Sequence, residues 1–234
     1  MIGYLQAQAI IENSQVDFFE KKNSVHIKAR RITKDEKIVK AYNVQAIAHM
    51  AQHPSVYLKS EELVFNTDSF EGKAYGNIDL IWGDLKAQTE SLSLKVKERV
   101  LEGNVPIQAI YKTWTFHLPV FRYYHDRKTL SFEKGGEIKK GQFFLKAGAG
   151  VAYLNNRFVL SSGVRFVYGV YQMTSSIINC EISNDHVIEK AIAPTKTKVQ
   201  SQDGKVSLEG RSALYHNDKI QMKDVKGIIN FVTF

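Results

Sequence analysis

Hydrophobic and polar residues alternate one by one along most of the chain, in short runs that are separated by turn-forming residues. In one such run Val56 and Leu58 fall on one side, and Tyr57 and Lys59 fall on the other. Alternation with a period of two, bounded by Asn, Asp, Gly or Ser, is typical of half-buried β-strands. The helical period of 3.6 does not persist anywhere. We therefore expect an all-β protein with roughly 45% strand or more and less than about 10% helix.

The alternation itself repeats, in segments of roughly 27–33 residues. Segments that begin at Ser24, Ser55, Asp84, Gln142 and Gly204 follow one scheme: a short strand, a small residue, a second strand ending in a polar turn, and further strands that pass through Gly or Asn. Such a unit cannot bury its apolar face alone and does so against its neighbours. The repeats predict stacked β-units that share one core.

A small turn residue comes just before a β-branched residue at 41–44, 74–78, 101–105 and 160–164, which read AYNV, AYGNI, LEGNV and LSSGV. Gly and Asn tolerate a positive φ, so they suit places where a strand turns or bulges. We expect each of these sites to be a corner, with the β-branched residue starting the next strand. This role is structural, and we assign no catalytic role to the glycines.

Four prolines, one cysteine and no Pro/Gly/Ser-rich linker occur in the 234 residues. We expect a single elongated domain over residues 1–234, with 108–141 as the place where it would subdivide. The lone Cys180 excludes a disulfide framework. No apolar run approaches the about 18 residues of a membrane-spanning helix. The N-terminus lacks the basic start and the cleavage site of a signal peptide.

The net charge of +8 is unevenly distributed along the chain. Residues 21–40 carry eight basic and two acidic side chains, whereas residues 60–103 carry five basic and nine acidic ones. Basic patches attract nucleic acid, anionic lipid or acidic protein surfaces, and they also occur on solvated strand faces.

The usual signatures of an enzyme are missing. His49 and His53 have a metal-ligand spacing only if they lie on a helix, and no third ligand is near them in sequence. Glu61 and Glu62 are adjacent, so on a strand they point to opposite faces. No phosphate-binding or nucleophile motif is present. We predict no enzymatic activity, no cofactor and no metal.

Aromatic and basic residues are interleaved in 111–130, a stretch that fits no repeat. Such residues stack nucleic acid bases on some β-sheets, and they also line lipid grooves or fill cores. In the core interpretation the alternating side chains of Trp114, Phe116, Phe121 and Tyr123 are buried. We do not expect nucleic acid as a partner.

Two short elements resemble those of the OstA-like periplasmic lipopolysaccharide-transport proteins, the family of LptA and LptC. Ser60–Leu63 and Thr89–Leu92 match an element of the form A/S-[DE]-x-L, and Gly76–Ile78 and Gly103–Val105 match a Gly-Asn-Val-like corner. The start of the chain, through Ala29–Arg31, is similar to the membrane-anchored member. The resemblance covers about residues 10–107 and 204–231 and is poor over 108–141 and 168–200.

This resemblance implies a β-jellyroll, an open, folded antiparallel sheet shaped like a taco and built from repeated short strands. It also implies a periplasmic, non-enzymatic component that carries lipopolysaccharide or a related anionic glycolipid to the outer membrane. The partners would be other jellyrolls of the transport bridge, joined edge to edge, and an inner-membrane transporter complex. A signal or anchor would have been removed from the chain.

The resemblance and the alternation together nominate three sets of site residues. The apolar groove for acyl chains would be formed by Val56, Leu58, Leu63, Phe65, Ile78, Leu80, Leu85, Leu92, Leu94, Val105 and Ile107. The anionic headgroup would meet Lys28, Arg30 and Arg31. The partner edge would be the uncharged C-terminal strand with Ile228, Ile229, Phe231 and Val232.

Two other functions remain open at the level of sequence. One is a ligand-free structural β-solenoid or sandwich of the adhesin or scaffold kind, with a filled core. The other is a β-helical enzyme acting on polysaccharide, which would need clustered carboxylates on consecutive coils. The sequence does not reveal whether the interior is hollow.

Overall fold

Every regular element of the chain is a β-strand. The computed structural model describes the backbone of residues 9–229 and the side chains of residues 13–227. Strand accounts for 73% of the structure, and no described residue is helical, which confirms the expected all-β class. Within residues 9–229 there is accordingly no helix of the length and apolarity needed to cross a membrane.

Contacts within the chain divide it into two compact units, residues 1–112 and 113–234. The boundary lies inside the stretch 108–141. In the first unit, β1 to β6 pair antiparallel, each with the next along the chain. The strands of this unit are β1 (Ala9–Glu20), β2 (Asn23–Asp35), β3 (Ile38–His49), β4 (Val56–Asn66), β5 (Glu71–Trp82), β6 (Leu85–Lys95), β7 (Val100–Gly103) and β8 (Ile107–Tyr111).

The second unit consists of shorter strands around two long ones. These are β9 (Trp114–Leu118), β10 (Val120–Tyr124), β11 (Thr129–Glu133), β12 (Gly136–Lys140), β13 (Phe143–Ala147), β14 (Ala149–Tyr153), β15 (Arg157–Tyr168), β16 (Tyr171–Ile182), β17 (Ile188–Ala193), β18 (Thr197–Ser201), β19 (Val206–Gly210), β20 (Ser212–His216), β21 (Lys219–Lys223) and β22 (Lys226–Ile229). The long strands β15 and β16 pair with each other along their length.

The sheet branches at its long strands, which the sequence pattern did not predict. β6 pairs with β8 through one half and with β7 through the other. β15 likewise pairs with β14 and β13, and β16 with β17 and β18. Ten strands form a closed antiparallel circuit with the others outside it, so the expectation of a sheet that stays open throughout is wrong there. The physical reason for the branching is the length of these strands. A strand of twelve residues can pair with two strands of five residues placed end to end.

Three of the four expected corners are bends inside single strands. Asn43 in β3, Asn77 in β5 and Gly163 in β15 have φ angles of 54°, 42° and 77°. The ladder shifts register at the last two, as it does at a β-bulge. The positive φ confirms the expected conformation. The expectation that a new strand begins at each corner is wrong for these three, because hydrogen bonding resumes past the bulge.

The fourth corner, at Gly103 and Asn104, behaves differently. Neither residue has a positive φ, and the chain leaves the ladder there, so β7 and β8 are separate strands. Only in this case does the small residue divide one strand from the next, as the pattern suggested.

In the first unit the sheet curls so that distant strands meet across the interior. The ring centroids of Phe18 in β1 and Phe65 in β4 are 5.4 Å apart, although β2 and β3 lie between these strands. In a flat sheet the two strands would be roughly 14 Å apart, at about 4.8 Å per spacing. Phe65 also packs edge-on against Phe70, with centroids 5.6 Å apart.

The second unit has an aromatic core of its own. Trp114 packs edge-on against Phe158, with ring centroids 5.0 Å apart. All four of the aromatic residues assigned to a core in 111–130 are buried, which confirms that interpretation: Trp114, Phe116, Phe121 and Tyr123. This stretch fits no repeat because it forms two short strands, β9 and β10, in place of one long bent strand.

Candidate functional site

The inner face of the first unit contains almost the whole predicted groove. Its side chains alternate inward from β4, β5, β6 and β8 because the period of a strand is two. Ten of the eleven nominated residues are buried: Val56, Leu58, Leu63, Phe65, Ile78, Leu80, Leu85, Leu92, Leu94 and Ile107. Val105 is half-buried and lies in the connection between β7 and β8, outside any strand. Its placement on the groove-facing side of a strand is therefore wrong, since the corner at Gly103 interrupts the alternation.

A small apolar void lies within this inner face. Its volume is about 30 Å³, and it is lined by side chains of β2 to β6 and by Val96. The void exists because Ala46, Ala48, Gly72 and Ala74 face larger residues. A Cβ added at Gly72 would lie 3.3 Å from Cδ1 of Leu63. Sites for drug-sized ligands usually measure about 300–1,000 Å³. This void, in the described part of the inner face, is far below that range.

The two sequence elements that carry the family resemblance lie side by side at the bend of the sheet. The Asn77 side-chain amide donates to Oε1 of Glu61, and the Asn77 backbone N–H donates to Oε2 of Glu90 at 3.3 Å. Glu61 belongs to the first A/S-[DE]-x-L element and Glu90 to the second. These motif residues clamp the Gly76–Asn77 bend, so their role in this structure is structural.

Two buried hydroxyl groups form hydrogen bonds on the inner side of the bend. Ser60 Oγ donates to the carbonyl of Glu62 at 3.0 Å, and Thr89 Oγ1 donates to the carbonyl of Pro106 at 2.9 Å. Both side chains are buried. A buried hydroxyl without a partner is costly, so each satisfied pair favours the bent conformation.

The predicted headgroup residues lie on the outer face. Lys28, Arg30 and Arg31 are exposed on β2, whose inner face buries Val25, Ile27 and Ala29. Arg30 and Arg31 both point outward because the ladders on each side of β2 skip Arg30 at the bend. None of the three forms an ion pair within the described residues. The basic side chains and the apolar lining therefore occupy opposite faces of the sheet.

The predicted partner edge is described only in part. β22 pairs with β19, where Ile228 is opposite Ser207 and Ile229 is opposite Val206. Phe231 and Val232 lie outside the described residues. β1 has β2 as its hydrogen-bonded neighbour among residues 9–229.

A hydrogen-bonded series of polar side chains on β1 and β2 was not predicted from the sequence. His26 Nδ1 lies 2.8 Å from Oδ1 of Asp17, and His26 Nε2 lies 3.1 Å from Oγ of Ser24. Hydrogen bonds from Gln15 and His26 hold the pKa of the Asp17 carboxyl below its usual value. The spacing of Ser24 and His26 was a usable signal, but Asp17 joins them only through the register of two strands.

This Ser–His–Asp order matches that of hydrolytic triads, but the surroundings differ from theirs. β2 is paired on both sides at Ser24, with Phe19 of β1 and His49 of β3. Its backbone N–H groups are therefore engaged in the ladders, whereas a triad requires free N–H groups that face a developing oxyanion. We assign a structural role to the hydrogen bonds that join Ser24, His26 and Asp17.

The histidine pair with a metal-ligand spacing in the sequence is His49 and His53. His49 Nδ1 is hydrogen-bonded to Oγ of Ser55 at 2.7 Å, and His53 lies in the following turn. In the described part of the chain no three His, Cys, Asp or Glu side chains are placed to share a metal ion. Comparison of the sequence with protein-family models and with curated proteins returned no match.

Proposed function

We propose that this protein is a non-enzymatic carrier of lipopolysaccharide or a related acylated, anionic glycolipid, acting as one jellyroll in a periplasmic bridge. The observation that carries the proposal is the inner face of the first unit. It is apolar along β2 to β6 and keeps a void where small residues face large ones. Acyl chains would enter between the two halves of the bent sheet, as in a folded β-jellyroll.

Lipid entry requires this interior to open. Each buried CH₂ contributes about 0.8 kcal/mol, so a chain of roughly a dozen carbons gains on the order of 10 kcal/mol. Separating Phe18 from Phe65 and exposing the void lining costs part of that gain. The free energy of transferring the lipid to a neighbouring jellyroll would then be close to zero. A carrier requires this, because it must release the lipid as well as bind it.

Edge pairing supplies the other half of the proposal. In the part of the chain that the structure describes, β1 offers twelve residues of strand and pairs with β2, and β22 pairs with β19. An unpaired strand edge readily adds a strand from another chain. Contacts between unlike edges are head-to-tail and extend as filaments. The same edges would dock onto partner jellyrolls and an inner-membrane transporter complex.

Photo-crosslinking tests the lipid site. A photoreactive residue is placed at Leu63 or Leu92, which line the void, and at Lys73, which is exposed on β5. Capture of lipopolysaccharide in cells at the first two positions and not at Lys73 is expected. Equal labelling at all three positions, or no lipid at any, would contradict the proposal.

A charged substitution tests the edge. Ile229→Asp and, separately, Val232→Asp are compared with the unchanged protein by light scattering over a range of concentrations, with Phe234 kept. Loss of concentration-dependent growth in mass, with an unchanged far-ultraviolet spectrum, is expected. Unchanged assembly in both folded variants would exclude this edge as the interface.

The small volume of the void favours a second function, a structural module with a filled core. At about 30 Å³ this void has room for little more than a methyl group. In that case the photoreactive residues at Leu63 and Leu92 capture no lipid, while edge pairing into larger assemblies persists. The two experiments together distinguish carrier from scaffold.

A further inference from the structure

The outer face of the first unit carries a depression far larger than the inner void. It has a volume of about 510 Å³ and crosses β3, β4, β5, β6 and β8. This volume lies within the range of about 300–1,000 Å³ that is usual for ligand sites. The depression faces away from the apolar interior, so it is independent of the carrier function proposed above.

One side of the depression is a mainly apolar row that runs across the strands and is interrupted by Lys86. Ile47 lies opposite Tyr57, Tyr57 opposite Ile81, and Ile81 opposite Lys86, which in turn lies opposite Ile110. The exposed fractions of Tyr57, Ile81 and Ile110 are 49%, 44% and 39%. Outward strand positions elsewhere in this unit are mostly charged or polar, so a row of exposed apolar side chains in register is unusual.

The other side is a polar row, which lies two residues away from the first row on each strand. Gln45 lies opposite Lys59, Lys59 opposite Asp79, and Asp79 opposite Gln88, which lies opposite Gln108. The amide of Gln88 donates to Oδ1 of Asp79 at 2.8 Å. Within residues 9–229 the side-chain amides of Gln45 and Gln108 have no protein partner, so they can bond a ligand.

The two rows define the shape of a ligand. They lie about 6.7 Å apart along the strands, and each row advances about 4.8 Å per strand, or roughly 19 Å over four spacings. The ligand must be extended, with an apolar face toward Tyr57 and hydroxyl or amide groups along one edge. The lining carries a net charge of only +1, from Lys59, Lys86 and Asp79, so it does not call for a highly charged ligand.

We propose that this depression binds an extended oligosaccharide that lies across the strands. The C–H face of a pyranose ring stacks on Tyr57, and the ring hydroxyls bond Gln45, Lys59, Asp79 and Gln108. A sugar ring is about as long as the strand spacing of about 4.8 Å, so successive rings meet successive polar side chains. An acyl chain would leave the polar row without partners, and a polyanion would carry far more negative charge than the single net positive charge of the lining offsets.

Titration of the full chain with cellohexaose and with chitohexaose tests the proposal. Both are straight, hydroxyl-rich oligomers, and binding is followed by calorimetry and by amide chemical shifts. Saturable binding of at least one hexamer is expected, with shifts confined to β3, β4, β5, β6 and β8. Tyr57→Ala should weaken it about tenfold or more, since stacking on an aromatic face is lost. Gln108→Ala should weaken it severalfold.

Tyr75→Ala is the matched control. Tyr75 is exposed on β5 like Tyr57 on β4 but lies outside the depression, so its loss should leave binding unchanged. The proposal is overturned if neither hexamer binds at millimolar concentration, if Tyr75→Ala weakens binding as much as Tyr57→Ala, or if only a detergent with a long alkyl chain shifts the same amides. Failure here leaves lipid capture at Leu63 and Leu92 unaffected, so the two proposals fail separately.

Discussion

At the scale of single residues, the bends of the long strands are the most specific feature of this protein. Gly76 and Asn77 both have positive φ, and the carboxylates of Glu61 and Glu90 hold Asn77 from two neighbouring strands. Alanine at such a position is disfavoured by conformation alone. At Gly76 a steric penalty is added, because the Glu61 side chain occupies the space that a Cβ would need.

Gly76→Ala is therefore expected to destabilise more than Gly163→Ala. Both positions have a positive φ, which costs about 1 kcal/mol or more for alanine. A Cβ at Gly76 would also lie 2.7 Å from Cδ of Glu61, whereas a Cβ at Gly163 would meet nothing within 4 Å. Urea denaturation should show the larger loss for Gly76→Ala, and Glu61→Ala should recover part of it. Equal losses would show that sterics at this bend are unimportant.

Cys180 is expected to be unreactive in the folded protein. Its side chain is fully buried, and burial raises the pKa of the thiol, so little thiolate is present at neutral pH. Labelling with iodoacetamide at pH 8 should be negligible without denaturant and complete in strong denaturant. Fast labelling of the native protein would mean that β16 opens locally.

At the scale of elements, each strand of the first unit divides its residues between two faces with different roles. The inner side of β4 holds Phe65 against Phe18 and Phe70, and the outer side presents Tyr57 and Lys59 to the depression. Stability is therefore expected to depend on the inner face, and ligand binding on the outer face.

Phe65→Ala should lower the free energy of unfolding by about 3–5 kcal/mol, the usual cost of deleting a buried aromatic ring. Lys59→Ala, on the outer face of the same strand, should change it by less than about 0.5 kcal/mol. Chemical denaturation monitored by tryptophan fluorescence measures both. Similar effects of the two substitutions would contradict the assignment of faces.

The pairing of β1 with β2 should be sensitive to acid. The pKa of Asp17 is lower in the folded protein, by its hydrogen bonds to Gln15 and His26, than in the unfolded chain. The Asp17 carboxylate therefore stabilises the folded protein fully at a pH above its unfolded pKa of about 3.9. This stabilisation is lost as the pH falls through the lower pKa of the folded protein. Asp17→Asn should thus flatten the decline of stability below about pH 4. An unchanged decline in Asp17→Asn would contradict this role of the Asp17 carboxylate.

At the scale of the whole molecule, net charge opposes the proposed assembly. The chain carries +8 at neutral pH and has an isoelectric point near 9.3, so its copies repel one another at pH 7. In the proposed assembly the edges of β1 and β22 would pair through backbone hydrogen bonds, which salt weakens little. The proposed association would therefore reflect a balance between charge repulsion and edge pairing, which solution conditions can shift.

Raising sodium chloride from about 0.1 M to about 1 M shortens the screening length from about 10 Å to about 3 Å. We expect mean mass by light scattering to rise with salt at pH 7, and to rise again as the pH approaches the isoelectric point. Ile229→Asp should suppress both increases. A mean mass that falls with added salt would mean that ion pairs, and not strand edges, hold the copies together.

Local sequence determined the strands and their faces. The alternation at Val56–Lys59 separates inward from outward residues because a strand has a period of two, which needs no knowledge of the neighbours. The positive φ at Asn43, Asn77 and Gly163 was predictable for the same reason, since it follows from what Asn and Gly tolerate.

The tertiary structure alone decided which strands are neighbours and in what register. The branching at β6 and β15, the contact of Phe18 with Phe65, and the clamp of Glu61 and Glu90 on Asn77 all join residues that are distant in sequence. The outer row through Ile47, Tyr57 and Ile81 arises in the same way, because pairing energies between strands depend on the whole sheet and a shift of one residue reverses every face.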